Sequence, residues 1–310
     1  MNIASIDTGT NTILLLIATP VGSNLIQKLT EIHNMPRLGE DVAKSGIIKE
    51  EKIKELCRIY NEYKEVCNEY KVTKIIACGT NVFRIAKNTP EVIHIVKSET
   101  GIDLKIISGE EEAESSFLGA TADFDKNQNI AVIDIGGGST EITCKNNNNL
   151  LFRKSFTTGV VTLREKFVNK DSLSKSNLDE LSDFCNNYFS ELENVRGMSD
   201  FSISIAGTPT TLFSLYNGYT EFKGELIHKH QLSIKNIDEV VSGFIDLPFK
   251  EYEKYGKIIT GREDLMGAGA IILKTVLNKL GLDGTTISIT GLRYGIILTY
   301  LAQNPESSQT

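Results

Sequence analysis

Hydrophobic positions along the chain fall into two spacings. Residues 1–7, 12–19 and 24–33 carry short apolar or alternating runs and predict three strands, with Pro20-Val21-Gly22-Ser23 as the turn between the second and third. Over 49–70, Ile53, Leu56, Ile59, Tyr60 and Tyr63 recur every three or four residues among charged ones, the period of an amphipathic helix. Strands at 72–78 and 104–107 then alternate with helices at 90–100 and 109–121, Pro90 standing in the first turn of the former. Residues 1–121 thus read βββαβαβα. The pattern restarts with an apolar strand at 129–134, then strands at 139–145 and 150–156 around the four asparagines 146–149. Helices are expected at 159–168, 176–195, 208–216, 234–245, 261–280 and 292–301, strands at 201–206 and 286–289, and a frayed polar tail at 305–310.

Both halves open alike. Asp7-Thr8-Gly9-Thr10-Asn11-Thr12 and Asp134-Ile135-Gly136-Gly137-Gly138-Ser139-Thr140 each follow a buried strand and lead into another strand, not a helix. This duplication predicts an α/β fold of two similar lobes facing a cleft, 1–122 and 123–310, with the last helix, 292–302, packing back on the first lobe.

Composition narrows the class. A chain of 310 residues suits two domains, and 40% hydrophobic with 24% charged residues excludes a disordered chain. Lys and Arg number 33 against 40 Asp and Glu, so the net charge of −7 argues against a general DNA or RNA binder. Apolar runs are too short for a membrane span, and the N-terminus does not read as a secretory leader. Five cysteines, an odd count without CxxC spacing, point to a reducing cytoplasm and to small buried hydrophobes.

Asp134 to Glu141 carries the strongest chemical signal. Three glycines allow close backbone approach to an anion, and Ser139 and Thr140 add hydroxyls. Neither a Walker A loop nor a dinucleotide fingerprint fits, so the alternative is a glycine-rich hairpin without ligand. Arg84, after the strand at 72–78, can clamp phosphate with its planar fork or simply lie on the surface. Gly207-Thr208 opens a helix after a strand, a common anion site. Ser108 with Glu111 makes a capping box, which leaves Glu112 either structural or catalytic. His228 and His230 have no third ligand nearby and read as a solvent-exposed pair.

In order along nearly the whole chain, these motifs resemble the exopolyphosphatase/guanosine pentaphosphate phosphohydrolase (Ppx/GppA) family of the actin-like (ribonuclease-H-like) superfamily, in its short two-lobed form. The likeness also rests on Arg37-Leu-Gly-Glu40, Gly79-Thr-Asn-Val-Phe-Arg84, Ile107-Ser-Gly-Glu-Glu-Glu-Ala113, Thr158-Gly159, Gly267-Ala-Gly269 and Gly291-Leu-Arg-Tyr-Gly295. It implies Glu112 as the catalytic base, Glu141 as the second active-site acid and Arg84 as a phosphate ligand. The two hairpins become phosphate loops through Asp7, Gly9, Thr10, Asn11 and Thr12 and through Gly136, Gly137, Gly138, Ser139 and Thr140. Mg²⁺, or Mn²⁺ in its place, is expected near Asp134 and Glu141.

The expected activity is metal-dependent release of orthophosphate from inorganic polyphosphate, guanosine pentaphosphate or both. A guanosine polyphosphate sensor without turnover and an ATP-dependent small-molecule kinase are the alternatives. A homodimer is compatible with the resemblance. Leu14 replaces a basic residue common in the family, Thr10 and Thr12 replace serines, Thr290 stands near a usual Asp, and Pro209 is expected to reshape its loop. Arg84, Arg164 and Arg262 lie in or near the motifs, so a basic cleft inside a negative shell is expected.

Overall fold

The computed structural model describes residues 1–21, 25–125, 128–146, 149–168 and 171–308. Gly22 and Ser23 of the expected turn, Asn147 and Asn148 of the asparagine run, and the last two residues of the tail lie outside them. In chain order the elements are β1 (Asn2–Thr8), β2 (Ile13–Pro20), β3 (Ile26–Asn34), α1 (Val42–Ser45), α2 (Glu50–Glu69), β4 (Val72–Gly79), α3 (Asn81–Ile85), α4 (Thr89–Thr100), β5 (Leu104–Ile106) and α5 (Gly109–Ala120). There follow β6 (Asn129–Ile135), β7 (Thr140–Asn146), β8 (Asn149–Phe156), α6 (Val160–Phe167), α7 (Lys175–Tyr188), β9 (Phe201–Ile205), α8 (Gly207–Tyr216), α9 (Gly224–Ile227), β10 (Gln231–Ser233), α10 (Ile234–Ser242), α11 (Met266–Leu280), β11 (Gly284–Ile287) and α12 (Leu292–Gln303). The chain divides into two units, Met1–Ala122 with Thr290–Thr310 and Asp123–Ile289.

The first unit holds a mixed sheet in the order β3-β2-β1-β4-β5. β1–β2 and β2–β3 pair antiparallel, and β4 and β5 add in parallel. β1 is buried on both faces, which is why it reads as a nearly continuous apolar run. Ala4 and Ile6 join the core under α2 and α4, while Ile3 joins Tyr294, Ile297 and Leu301 of α12. The Ser5 hydroxyl, on the α12 face, donates to the Arg293 carbonyl at 2.7 Å.

The second unit repeats the plan in the order β10-β11-β9-β6-β7-β8. β6–β7 and β7–β8 are antiparallel, and β6–β9 and β9–β11 parallel. Its core packs α6, α7, α10 and α11 against the sheet. Two expected helices differ. The one expected over 176–195 is broken into α7 and a 3₁₀ turn, Ser190–Val195, where buried Phe189 adopts φ −93°, ψ 15°. The helix expected from 261 starts at Met266: Gly261 stands at φ +76°, outside the helical region, and the next residues form turns.

Candidate active site

In the first unit the β1–β2 turn is closed by the Gly9 N–H donating to the Thr12 carbonyl at 2.8 Å. A neighbouring segment braces it. The Gly39 N–H donates to the Thr10 carbonyl at 2.8 Å and the Arg37 N–H to the Asn11 carbonyl at 3.1 Å. A Cβ on Gly39 would lie 2.1 Å from Cγ2 of Thr10, so any side chain there would displace Thr10. The Arg37-Leu-Gly-Glu40 motif is thereby explained, since Leu38 is buried in the core and its neighbours hold the turn. Asn11 is buried, and its Oδ1 has no hydrogen-bond partner among the described residues.

Gly9 adjoins the segment after β4. The Thr80 N–H donates to the Thr8 carbonyl at 3.1 Å, and α3 then carries Arg84 inward. Arg84 Nη1 donates to the Ile107 carbonyl at 3.0 Å and to Oε2 of Glu112 at 2.7 Å. Its Nη2 is buried without a hydrogen-bond partner among the described residues. The surface reading of Arg84 is therefore replaced by a partly buried ion pair.

The capping box at the start of α5 forms as the spacing indicates. The Glu111 N–H donates to Ser108 Oγ at 3.1 Å, and the Ser108 N–H to Oε2 of Glu111 at 2.8 Å. That backbone bond, ahead of the Lys105 ammonium, holds the Glu111 carboxyl below its ordinary range. Glu111 is thus committed to the cap, while Glu112, one residue on and 6% exposed, meets Arg84. α5 is itself seated by α12: a Cβ on Gly295 would lie 1.7 Å from the Ser115 carbonyl oxygen, and one on Gly119 2.1 Å from that of Gly291.

In the second unit the β6–β7 turn is closed by the Gly136 N–H on the Ser139 carbonyl at 2.9 Å. The Val160 and Val161 N–H groups, first in α6, donate to the Gly136 and Gly137 carbonyls at 3.0 and 2.8 Å. Since each peptide unit is planar and trans, those carbonyls aim the N–H groups of Gly137 and Gly138 away from α6. A Cβ on Gly159 would lie 2.4 Å from the Gly136 oxygen, which explains the glycine before α6. Thr140 departs from its expected place among the phosphate contacts: its side chain is fully buried and its hydroxyl donates to the Thr158 carbonyl at 2.8 Å. It fastens the loop instead.

Asp134 and Glu141 are direct cross-strand partners on β6 and β7, so both carboxylates lie on one sheet face. Both residues are buried, and Glu141 Oε1 accepts from the Ser155 hydroxyl at 2.5 Å. Among the described residues no group of three or more His, Cys, Asp and Glu gathers for a metal. A pair of hard oxygen ligands fits magnesium or manganese, which keep several waters and share substrate oxygens, and does not fit a closed zinc site.

Gly207 and Thr208 open α8, and Pro209 sits in its first turn, where no N–H is required. Ala206, which precedes the helix, stands at φ +71°, a conformation rare for a residue with a Cβ. Arg262, not singled out by sequence as a site residue, donates from Nη1 to Thr211 Oγ1 at 3.0 Å and to the Gly207 carbonyl at 3.3 Å. Burial pulls its guanidinium down to about 10, still a cation at neutral pH. Gly269 of α11 meets Thr208, whose Oγ1 would lie 2.7 Å from a Cβ there.

His228 is not a free surface histidine. Its Nε2 lies 2.8 Å from Asp123 Oδ2, and its Nδ1 accepts from the Ile289 N–H at 3.3 Å. All five cysteines are buried; burial pushes Cys57, Cys78 and Cys185 up to about 12, so none is a ready nucleophile. Among the described residues no helix is long and apolar enough to cross a membrane.

Comparison with known proteins places this geometry in a family. The Ppx/GppA phosphatase family matches residues 16–304. The bifunctional 3-dehydroquinate synthase/phosphatase of Fusobacterium nucleatum is 34% identical over 308 residues; the match covers 95% of this chain but 46% of that longer protein. Exopolyphosphatase 2 of Mycobacterium tuberculosis is 28% identical, covering 96% of this chain and 98% of the relative. The crystal structure of the Aquifex aeolicus Ppx/GppA family member superposes with a TM-score of 0.82 at 28% identity, covering 98% of both chains. The two mixed sheets with their helices are the actin-like fold of those structures, and the chain belongs to the Ppx/GppA phosphatase family.

Proposed function

We propose that the protein hydrolyses the terminal phosphoanhydride of inorganic polyphosphate, releasing orthophosphate, with guanosine pentaphosphate as a second substrate of the same chemistry. The observation that carries this reading is the Arg84–Glu112 pair. A buried carboxylate is held 2.7 Å from a guanidinium whose second nitrogen, Nη2, has no hydrogen-bond partner among the described residues. That nitrogen suits a phosphate oxygen, and the carboxylate suits a water attacking the same phosphorus.

Glu112 accepts the proton of the attacking water as the new P–O bond forms. The bridging P–O bond breaks, and its electron pair leaves on the oxygen of the shortened chain. In the first unit the N–H groups of Thr10, Asn11 and Thr12, and in the second those of Gly137 and Gly138 with Ser139 and the Gly207-Thr208 start of α8, would hold phosphate oxygens. Asp134 and Glu141 would hold a divalent cation, magnesium or manganese, which would supply charge neutralisation for the leaving phosphate. Most of the acceleration comes from positioning and charge stabilisation.

Similarity to exopolyphosphatase 2 over nearly the full length of both chains supports polyphosphate as substrate. The test is orthophosphate release from long-chain polyphosphate and from guanosine pentaphosphate, side by side, with Mg²⁺ or Mn²⁺. Release from polyphosphate without any acceptor is expected, and it also excludes a kinase. Tight binding with no release from either substrate would overturn the reading in favour of a sensor.

A further inference from the structure

Two tyrosines on α2 meet the strand ends that flank the Gly9–Thr12 turn. Thr8 and Ile13, the last rung of the β1–β2 ladder, stand on either side of that turn. The Tyr60 hydroxyl shares a 2.6 Å hydrogen bond with Thr8 Oγ1. The Tyr63 hydroxyl lies 2.9 Å from the Ile13 carbonyl oxygen and 2.7 Å from Oδ1 of Asn34, the last residue of β3, both acceptors within reach of its one hydrogen. Spacing of three residues puts both rings on one helix face. Both are buried, at 0% and 1% exposure.

A phenylalanine at either position would fill nearly the same volume without burying a hydroxyl, and a buried hydroxyl costs free energy unless it is bonded. Here each hydroxyl is bonded at the mouth of the turn. Ala4, Ile6, Ile13 and Leu15, on the same sheet face, pack into the apolar core around α2. Burial raises both phenols above their ordinary value, so they stay protonated and able to donate. The turn itself is also held by the N–H groups of Arg37 and Gly39. It is therefore fastened twice, at its tip by backbone and at its flanking strand ends by the two phenols.

We propose that Tyr60 and Tyr63 are positioning residues of the phosphate turn: they fix the last rung of the β1–β2 ladder and so set the spacing of the turn's N–H groups for polyphosphate oxygens. The inference rests on the reading of Gly9–Thr12 as a phosphate loop. Small displacements of binding groups cost affinity steeply, so removing one hydroxyl should be felt in substrate binding more than in the chemical step.

The test uses the full chain with Tyr60→Phe, Tyr63→Phe and Thr8→Val, measuring kcat and KM for phosphate release from polyphosphate and amide hydrogen exchange at residues 9–12. Tyr60→Phe should raise KM about tenfold while kcat changes less than about twofold, and exchange at the turn should quicken. The Tyr60→Phe/Thr8→Val double variant should lose no more than Thr8→Val alone, because the two groups act through one bond. A purely structural tyrosine would lower the unfolding midpoint and leave KM unchanged. Wild-type KM and exchange in the folded Tyr60→Phe and Tyr63→Phe variants would overturn the brace. Should one variant fail to fold, the other decides. A wild-type chain that releases no phosphate overturns the functional reading, and the exchange measurement still judges the brace.

Discussion

Glu111 and Glu112 are neighbours with separate roles. Glu111 closes the cap of α5 with Ser108, while Glu112 turns inward to Arg84. Glu111→Gln keeps a capping partner and should cost at most about 1 kcal/mol in thermal or denaturant unfolding, with kcat unchanged. Arg84→Ala removes the cation beside a buried carboxylate, so the proton affinity of Glu112 should rise. The acid limb of the kcat/KM against pH profile should then move to higher pH, which a pH series on wild type and variant measures. An unmoved limb would mean that Glu112 is not the titrating base. The capping box was legible from a spacing of three residues. The Arg84–Glu112 pair was not, because it joins residues 28 apart in sequence through the fold; Glu112 could be told from its neighbours only through family resemblance. Ser155, directly across from Glu141 on β8, carried no signal for the same reason.

Among the elements, period and turn chemistry revealed the strands and long helices, and close backbone contacts fixed where they stop and how they seat. Gly119 carried no signal and Gly295 only its place in a family motif, yet they let α5 and α12 cross at backbone contact. Gly295→Ala would drive a methyl into the Ser115 carbonyl and should destabilise the protein by about 1–3 kcal/mol or more, read as a lowered unfolding midpoint. Since α5 carries Glu112, the folded fraction should also turn over more slowly. The glycine before α6 works similarly, bringing the helix start onto the Gly136–Gly137 loop. These approaches leave no periodic trace, because a single missing Cβ does not alter a hydrophobic pattern.

At the scale of the whole molecule, the duplicated opening was legible because each half begins with a strand, an Asp-x-Gly turn and a second strand. The chain passes between its two units at 122–123 and 289–290. His228 holds both ends of the second unit, through the Asp123 carboxylate and the Ile289 N–H. Burial opposes ionisation of Asp123, but bonds from His228 and Lys229 outweigh it and draw the carboxyl from 3.8 to about 2. A lowered folded-state pKa stabilises above the unfolded value and loses that stabilisation as pH falls through the folded one. Asp123→Asn should therefore lower the unfolding midpoint at pH 7, and the gap to wild type should close between about pH 4 and 2. The net charge of −7 does not exclude a polyanionic substrate, since under the proposed function local phosphate loops and not total charge would hold it. KM for polyphosphate should rise with added salt as those contacts are screened. The most direct test of the account compares wild type with Glu112→Gln for phosphate release at saturating polyphosphate and for polyphosphate binding. A general base contributes about 10²–10⁴-fold, so kcat should fall by at least about a hundredfold with binding retained. Turnover close to wild type in Glu112→Gln would contradict it.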